Sequence, residues 1–454
     1  MSGPIEGTFR TRSAAAVEDR ALHGRVTAAV DRFVSHRALA FEGLEDGDEL
    51  RRAARAVKAD VLARLPDLLE QFADNVLAAG GQVHWAPTAE DAREHISRIA
   101  VTAGGRVVKS KSMATEEIGL NEALTDAGCE VVETDLGEWI IQLAGEAPSH
   151  IIIPALHRDR HTIRDVLVDE AGADPAALEA SPESITVFAR AALRERFLAA
   201  DVGITGANFA VAETGSIVLV TNEGNGRLTT ALPRVHVVVL GMERLVADWR
   251  QLDLMINLLA RSASGQPLSS YTSVTTGPRR AGEADGPDKL HVVILDNGRS
   301  DLLAGEYHEM LGCIRCGACL NVCPVFRQTG GHAYGWVYSG PMGAVLSPLL
   351  TAGADDLSGA STLCGACMDA CPVQIPLQDL LLSLRRDRDK GLAERTAWSA
   401  WATAWSSPRG YRASTTAGRW GAGLAPLARR WADGRTPLKP EKRRFRDRWQ
   451  AGEV

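Results

Sequence analysis

A chain of 454 residues, 45% of them apolar and 24% charged, can bury large cores without covalent staples, and its length suggests roughly three domains. The net charge of −7 gives no sign of nucleic-acid binding by the whole molecule. No run approaches the roughly 20 apolar residues of a membrane helix, and the opening MSGPIEGTFRTRS lacks the apolar segment of a secretory signal. The expected location is the cytoplasm, where a tight cysteine array reads as a metal site and not as a disulfide framework.

Residues 1–65 read as an N-terminal helical arm, rich in Ala and Arg, with apolar residues at helical spacing. A structural extension is the plainer role for it; packing on a partner is the other. From 66 to 300 strand-like and helix-like runs alternate. Strands are expected at 106–109, 130–134, 150–155, 202–204, 216–221, 236–240 and 291–295. Runs such as Ile151-Ile152-Ile153 and Val237-Val238-Val239-Leu240 are apolar on both faces, as strands covered by helices on both sides are. A helix over 182–200 has Ser181 to cap it and Pro182 at its first position. This alternation predicts an α/β domain with a mainly parallel sheet.

Two loops of that domain offer a small-anion site. Lys109-Ser110-Lys111-Ser112 joins a strand to a helix whose exposed N–H groups favour an anion, although Ser112 could simply cap that helix. Glu213, in Glu213-Thr214-Gly215, is a candidate carboxylate, with a plain turn the favoured reading. Gly224 and Gly226 do not complete a dinucleotide fingerprint, because Thr229 stands where the third glycine belongs. Cys129 reads as a small buried side chain. Residues 277–288 form an exposed loop, and a helix over 301–311 should deliver the chain to the cysteines.

Residues 301–388 hold seven of the eight cysteines. Cys313-x2-Cys316-x2-Cys319-x3-Cys323-Pro324 is the pattern of bacterial two-cluster ferredoxins, in which the fourth cysteine serves the other cluster. Closed tetrahedral zinc fits it poorly. The crossing rule gives Cys313, Cys316, Cys319 and Cys371 to one [4Fe–4S] cluster. It gives Cys323, Cys364 and Cys367 to a second. Ser361 stands where that second set needs a fourth cysteine, which leaves a [4Fe–4S] cluster with another ligand or a [3Fe–4S] cluster. The long connector between the motifs points to an all-helical two-cluster domain.

An amphipathic helix is expected over 376–386. Residues 389–454 form a Trp/Arg-rich tail with Trp398, Trp401, Trp405, Trp420, Trp431, Trp449 and the basic run 442–446. Trp and Arg make interface hot spots, so among functional readings docking comes first and membrane-surface contact second, with a tail without function standing level against them.

The strings KSKSM (109–113), EVVETDL (130–136), PALH (154–157), VTNEGNGRL (220–228), CIRCGAC (313–319), YSGPMGAV (338–345) and STLCGAC (361–367) resemble the lactate utilization protein B family. The resemblance implies an α/β domain similar in fold to sugar-phosphate isomerase and CoA-transferase domains, followed by a two-cluster ferredoxin domain. It implies an iron–sulfur electron-transfer subunit of a system oxidising L-lactate to pyruvate, working with lactate utilization proteins A and C and an acceptor such as a quinone or redox protein. It also implies that serine at position 361 is a family trait. The expected position is the cytoplasm, with the periphery of the inner membrane face as the variant of it, and the resemblance assigns no catalytic residue. The alternative is an oxidoreductase that itself binds lactate or another small anion near Lys109, Lys111 and Glu213 and passes electrons to its own clusters.

Overall fold

Capping chemistry starts the first helices. Asp19 accepts the N–H of Leu22 and Asp46 that of Glu49, while Pro66 occupies the first turn of the fourth helix. The helices are α1 (Phe9–Glu18), α2 (Arg20–Glu42), α3 (Gly47–Ala63) and α4 (Leu65–Ala78). Only one stripe of α2 is buried, through Val26, Ala29 and Val30, and it joins the same hydrophobic core as Phe72, Val238, Leu320 and Phe326. The N-terminal arm is therefore part of a core that also contains the cysteine loops. The computed structural model describes residues 7–388, 391–421, 441 and 443–453. Met1–Arg386 form one compact unit and Asp387–Val454 another.

Ten strands follow: β1 (Gln82–Ala86), β2 (Arg106–Lys109), β3 (Glu130–Glu133), β4 (Val202–Gly206), β5 (Phe209–Val211), β6 (Ser216–Thr221), β7 (Val235–Gly241), β8 (Leu245–Val246), β9 (Tyr271–Thr275) and β10 (Lys289–Leu295). Six form a sheet in the order β1-β10-β7-β4-β2-β3, every pair parallel. Both faces of its centre are covered, which is why Val237, Val238, Val239 and Leu240 are all buried. The other four strands make a small mixed sheet, β8-β5-β6-β9. The α/β class with a mainly parallel sheet is as the sequence predicts.

Three local expectations are corrected. Residues 150–155 are a loop and not a strand. His150 Nδ1 accepts the N–H groups of Ile152 and Ile153 at 3.0 and 3.2 Å, and Ser149 N–H donates to Pro154 O. Backbone groups satisfied within the loop cannot join a ladder, and its isoleucines are apolar because they pack against Gly317. Residues 216–221 form a strand, but an antiparallel one in the small sheet. The helix over 301–311 is broken into a helix at Arg299–Ala304 and a 3-10 turn at His308–Gly312, parted at Gly305. Strands β1, β5, β8 and β9 went unpredicted, being short or too polar to carry a pattern.

In the unit Asp387–Val454, helices span Leu392–Trp405, Pro408–Gly421 and Phe445–Gln450. Trp398, Trp401 and Trp405 form an exposed ladder of ring contacts that Tyr411 continues. Trp431 and Lys442 lie outside the described residues. Among the described residues, no helix is long and apolar enough to cross a membrane.

A buried ion network ties the sheet to the first cysteine loop. Arg299 grips Glu117 with two guanidinium nitrogens at 2.9 and 2.7 Å, and its Nε donates to Glu243 at 2.8 Å. Tyr338 Oη donates at 2.6 Å to Glu117 Oε2, the oxygen that also accepts from Arg299 Nη2, and Arg315 reaches Glu243 at 3.4 Å. Burial works against ionised Glu243, but Arg299, Arg244 and Arg315 outweigh it and hold its pKa at about 2, down from 4.5. A depressed carboxylate pKa means that this stabilisation is whole above pH 4.5 and fades as pH falls towards 2. Arg299→Met strands two buried carboxylates and should cost about 3–5 kcal/mol, read as a lower Tm by near-UV circular dichroism. An unchanged Tm would remove this network from the stabilising interactions.

Candidate functional site: two thiol sets and a cavity at the sheet edge

The turn after β10 and the 3-10 segment His308–Gly312 present Cys313. Cys316 and Cys319 follow round a tight loop in which Arg315 (φ 58°) and Gly317 (φ 76°) are left-handed. Cys371, from the second motif, meets them, and all four cysteines line one small enclosed cavity with Ile314 and Met342. Arg315 N–H points at Cys313 Sγ and Ile375 N–H at Cys371 Sγ, each at 3.4 Å. Such N–H···S contacts stabilise thiolate sulfur.

Electrostatics sort the cysteines into two neighbouring groups. Burial pushes the Cys316 thiol up, with Cys371 and Cys313 adding to it, and Cys319 is raised by burial, Cys313, Cys316 and Cys371. Cys371 itself is pushed up to about 11. In the other group Cys367 is pushed up to about 12 by burial and then by Cys323 and Cys364. Cys319 also senses Cys367, so the groups adjoin. Cys313, Cys316, Cys319 and Cys371 thus lie within reach of one another, and so do Cys323, Cys364 and Cys367. Unlike the others, Cys364 is exposed, and a hydrogen bond with Thr362 lowers its pKa.

Crowded buried thiols stay protonated unless a cation compensates them, and iron does so. Basic groups ring the first set. Arg37 donates to Ala370 O, Arg51 to Cys371 O and Arg244 to Cys313 O. They hold the loop carbonyls and would offset the negative charge of a thiolate-ligated iron–sulfur group. Among the described residues no three His, Cys, Asp or Glu converge on a single metal-ion position. Sulfurs spread round a cavity suit the corners of a cube, and the donor set fits an iron–sulfur group.

A cavity of about 440 Å³ opens at the carboxyl ends of β2, β4 and β7. The chain runs outward from β2 to β3 and then returns to β4 on the other side of β2, and α/β sheets bind ligands at such a reversal. Lys111, Asp135, Asn208 and Glu223 line the cavity, and Arg244 and Arg315 reach it beside Ile314. It therefore abuts the first cysteine loop. Lys111 Nζ makes no hydrogen bond and lies 3.5 Å from Glu138 Oε1. Glu223 is pushed up to about 7 by burial and by Asp135.

Of the three residues expected at an anion site, only Lys111 is there. Lys109 is fully buried, 2.6 Å from Glu133 and 3.0 Å from Thr115, and is committed to those contacts. Ser112 caps the helix Met113–Glu117 by accepting the N–H of Thr115. Glu213 is exposed in the β5–β6 turn, away from the cavity, as its turn reading has it. Sequence reasoning missed Arg315, Arg244 and Glu223. Arg315 lay in plain view between two cysteines, but nothing in the motif shows that its side chain turns to the sheet.

Family models match three stretches: LUD domain at 69–295, 4Fe-4S dicluster domain at 309–375, and lactate utilisation protein B, C-terminal, at 384–454. The last covers the Trp/Arg-rich tail, for which the sequence offers docking, membrane-surface contact or no function. Lactate utilization protein B of Shouchella clausii is 46% identical, aligned over 98% of this chain and 97% of its own. The protein of the same name from Bacillus subtilis is 45% identical over 97% and 95%. An Escherichia coli relative named uncharacterized electron transport protein YkgF is 46% identical over 95% and 90%. A solved duf162 family protein from Deinococcus radiodurans aligns at a TM-score of 0.29 and 16% identity, over 51% of this chain and 98% of its own. Thiol loops shaped for iron and sulfur, three family models laid end to end and relatives matched along nearly the whole chain carry one conclusion: this chain belongs to the lactate utilization protein B family.

Proposed function

We propose that the protein is the iron–sulfur electron-transfer subunit of a system that oxidises L-lactate to pyruvate, serving growth on lactate. The carrying observation is the pair of adjoining thiol sets on one packed body. One set is buried beside the sheet apart from a half-buried Cys313, and the other reaches solvent at Cys364. When bound, the clusters supply one-electron transfer. Cys313, Cys316, Cys319 and Cys371 would hold the inner cluster, and Cys323, Cys364 and Cys367 the outer one. Arg315 and Arg244 balance charge at the inner set, while packing keeps water from it. Proteins A and C of the same system are the proposed partners, and a quinone or redox protein is the proposed acceptor. The cytoplasm, at the inner membrane face, is the proposed place.

The test is lactate-dependent bleaching of the cluster absorption under anaerobic conditions. The isolated chain should stay oxidised with L-lactate and bleach when proteins A and C are added. Bleaching of the isolated chain at the same rate would make it the dehydrogenase instead.

The cavity at the sheet edge supports a second reading, in which this chain also binds a small carboxylate. Lys111, Arg244 and Arg315 face it, against Asp135 and a Glu223 that is half-protonated near neutral pH. Lys111→Met should weaken pyruvate or L-lactate binding about tenfold to a hundredfold by calorimetry, the worth of one charged hydrogen bond. Affinity should also fall as pH rises through about 7, because ionised Glu223 repels the anion, and Glu223→Gln should flatten that fall. Binding that is indifferent to both substitutions would place the anion elsewhere.

A further inference from the structure

The two cysteine loops are backbone repeats of one another. Arg315 and Gly317 are left-handed in the first, with φ of 58° and 76°; Leu363 and Gly365 are left-handed at the same offsets in the second, with φ of 55° and 86°. After each glycine a short helix opens, Ala318–Asn321 and Ala366–Ala370. A left-handed residue with a side chain costs about 1–2 kcal/mol. Its recurrence at the same place marks loops shaped by what they wrap.

The repeat extends to one hydrogen bond. Arg315 N–H donates to Cys313 Sγ at 3.4 Å, and Leu363 N–H donates to Ser361 Oγ at 3.1 Å. Within its loop Ser361 Oγ holds the place that Cys313 Sγ holds in the other. Arg385 fixes that stretch, with Nη2 donating to Ser361 O at 2.6 Å and Nε to Ser358 O at 2.7 Å. Ser361 is half-buried and its neighbour Cys364 exposed, so water reaches this end of the loop.

We propose that Ser361 is the fourth ligand of the outer cluster, its Oγ binding the iron that no cysteine reaches. The inference rests on the two-cluster reading above. On ligation the Oγ–H bond breaks, an Fe–O bond forms and the proton leaves to solvent, with no change of oxidation state. An alkoxide is a harder donor than a thiolate, so one iron of this cluster differs electronically from its neighbours. The serine is then a working ligand and not a gap in the motif.

The experiment is Mössbauer and EPR spectroscopy, with iron analysis, on the anaerobically purified full chain and its Ser361→Ala and Ser361→Cys variants. The parent chain should hold iron for two complete cubes, with one iron spectroscopically distinct. Ser361→Ala should lose one iron per chain and gain a [3Fe–4S] signal, leaving the inner cluster's spectrum unchanged. Ser361→Cys should keep both cubes and lose the distinct iron. It decides the question even where Ser361→Ala does not fold, since a retained distinct iron overturns the proposal. So does an alanine variant matching the parent, or a parent chain that already carries [3Fe–4S]. A parent chain without iron would sink the two-cluster reading itself, which tells the two failures apart.

Discussion

Glu117, Glu243, Arg299, Arg315 and Tyr338 form the interaction on which the arrangement depends. Glu117 follows β2, Glu243 follows β7, Arg299 follows β10, and the last two come from the cysteine-bearing segment. All five are buried. Buried charges are costly unless fully partnered, so the network tolerates few geometries. With Arg299 bridging both carboxylates, Arg315 has one place to go, and the loop round Cys313 is fixed with it. The Arg315 guanidinium also lies 4.5 Å above the Tyr338 ring, which adds to this anchoring of its side chain.

The consequence is a cysteine loop set against the open end of a parallel sheet. The cavity there and the inner thiol set share Arg315 and Ile314. A ligand bound in the cavity would lie next to the first cysteine loop, while Cys364 is the exposed member of the second thiol set. The α2 and α3 helices close the other flank, with Arg37 and Arg51 on loop carbonyls near Cys371. This gives the N-terminal arm a physical task at the cluster end.

How much was legible follows from the range of each interaction. The cysteine motifs could be read because their spacing is local, and the central strands because burial on both faces leaves unbroken apolar runs. Residues 150–155 carried the same apolar signal for another reason, contact with the loop at Gly317. The ion network was not legible: Glu117 and Tyr338 are 221 positions apart, and neither lies in a motif that names the other. Lys109 and Lys111 looked alike in sequence. Only the fold separates them, since Lys109 ends β2 against Glu133 and Thr115 while Lys111 lies in the loop beyond the strand, at the cavity. Ser361 was visible as a missing cysteine, whereas its hydrogen bond, matched to that of Cys313, needed the structure.

The proposed electron path needs two adjoining clusters with unlike surroundings on one chain. A potentiometric EPR titration of the anaerobically purified chain tests this most directly. Two clusters should be reduced at separate potentials, with spectra broadened by mutual spin coupling once both are reduced. A single uncoupled signal, or a chain devoid of iron and acid-labile sulfide, would contradict it.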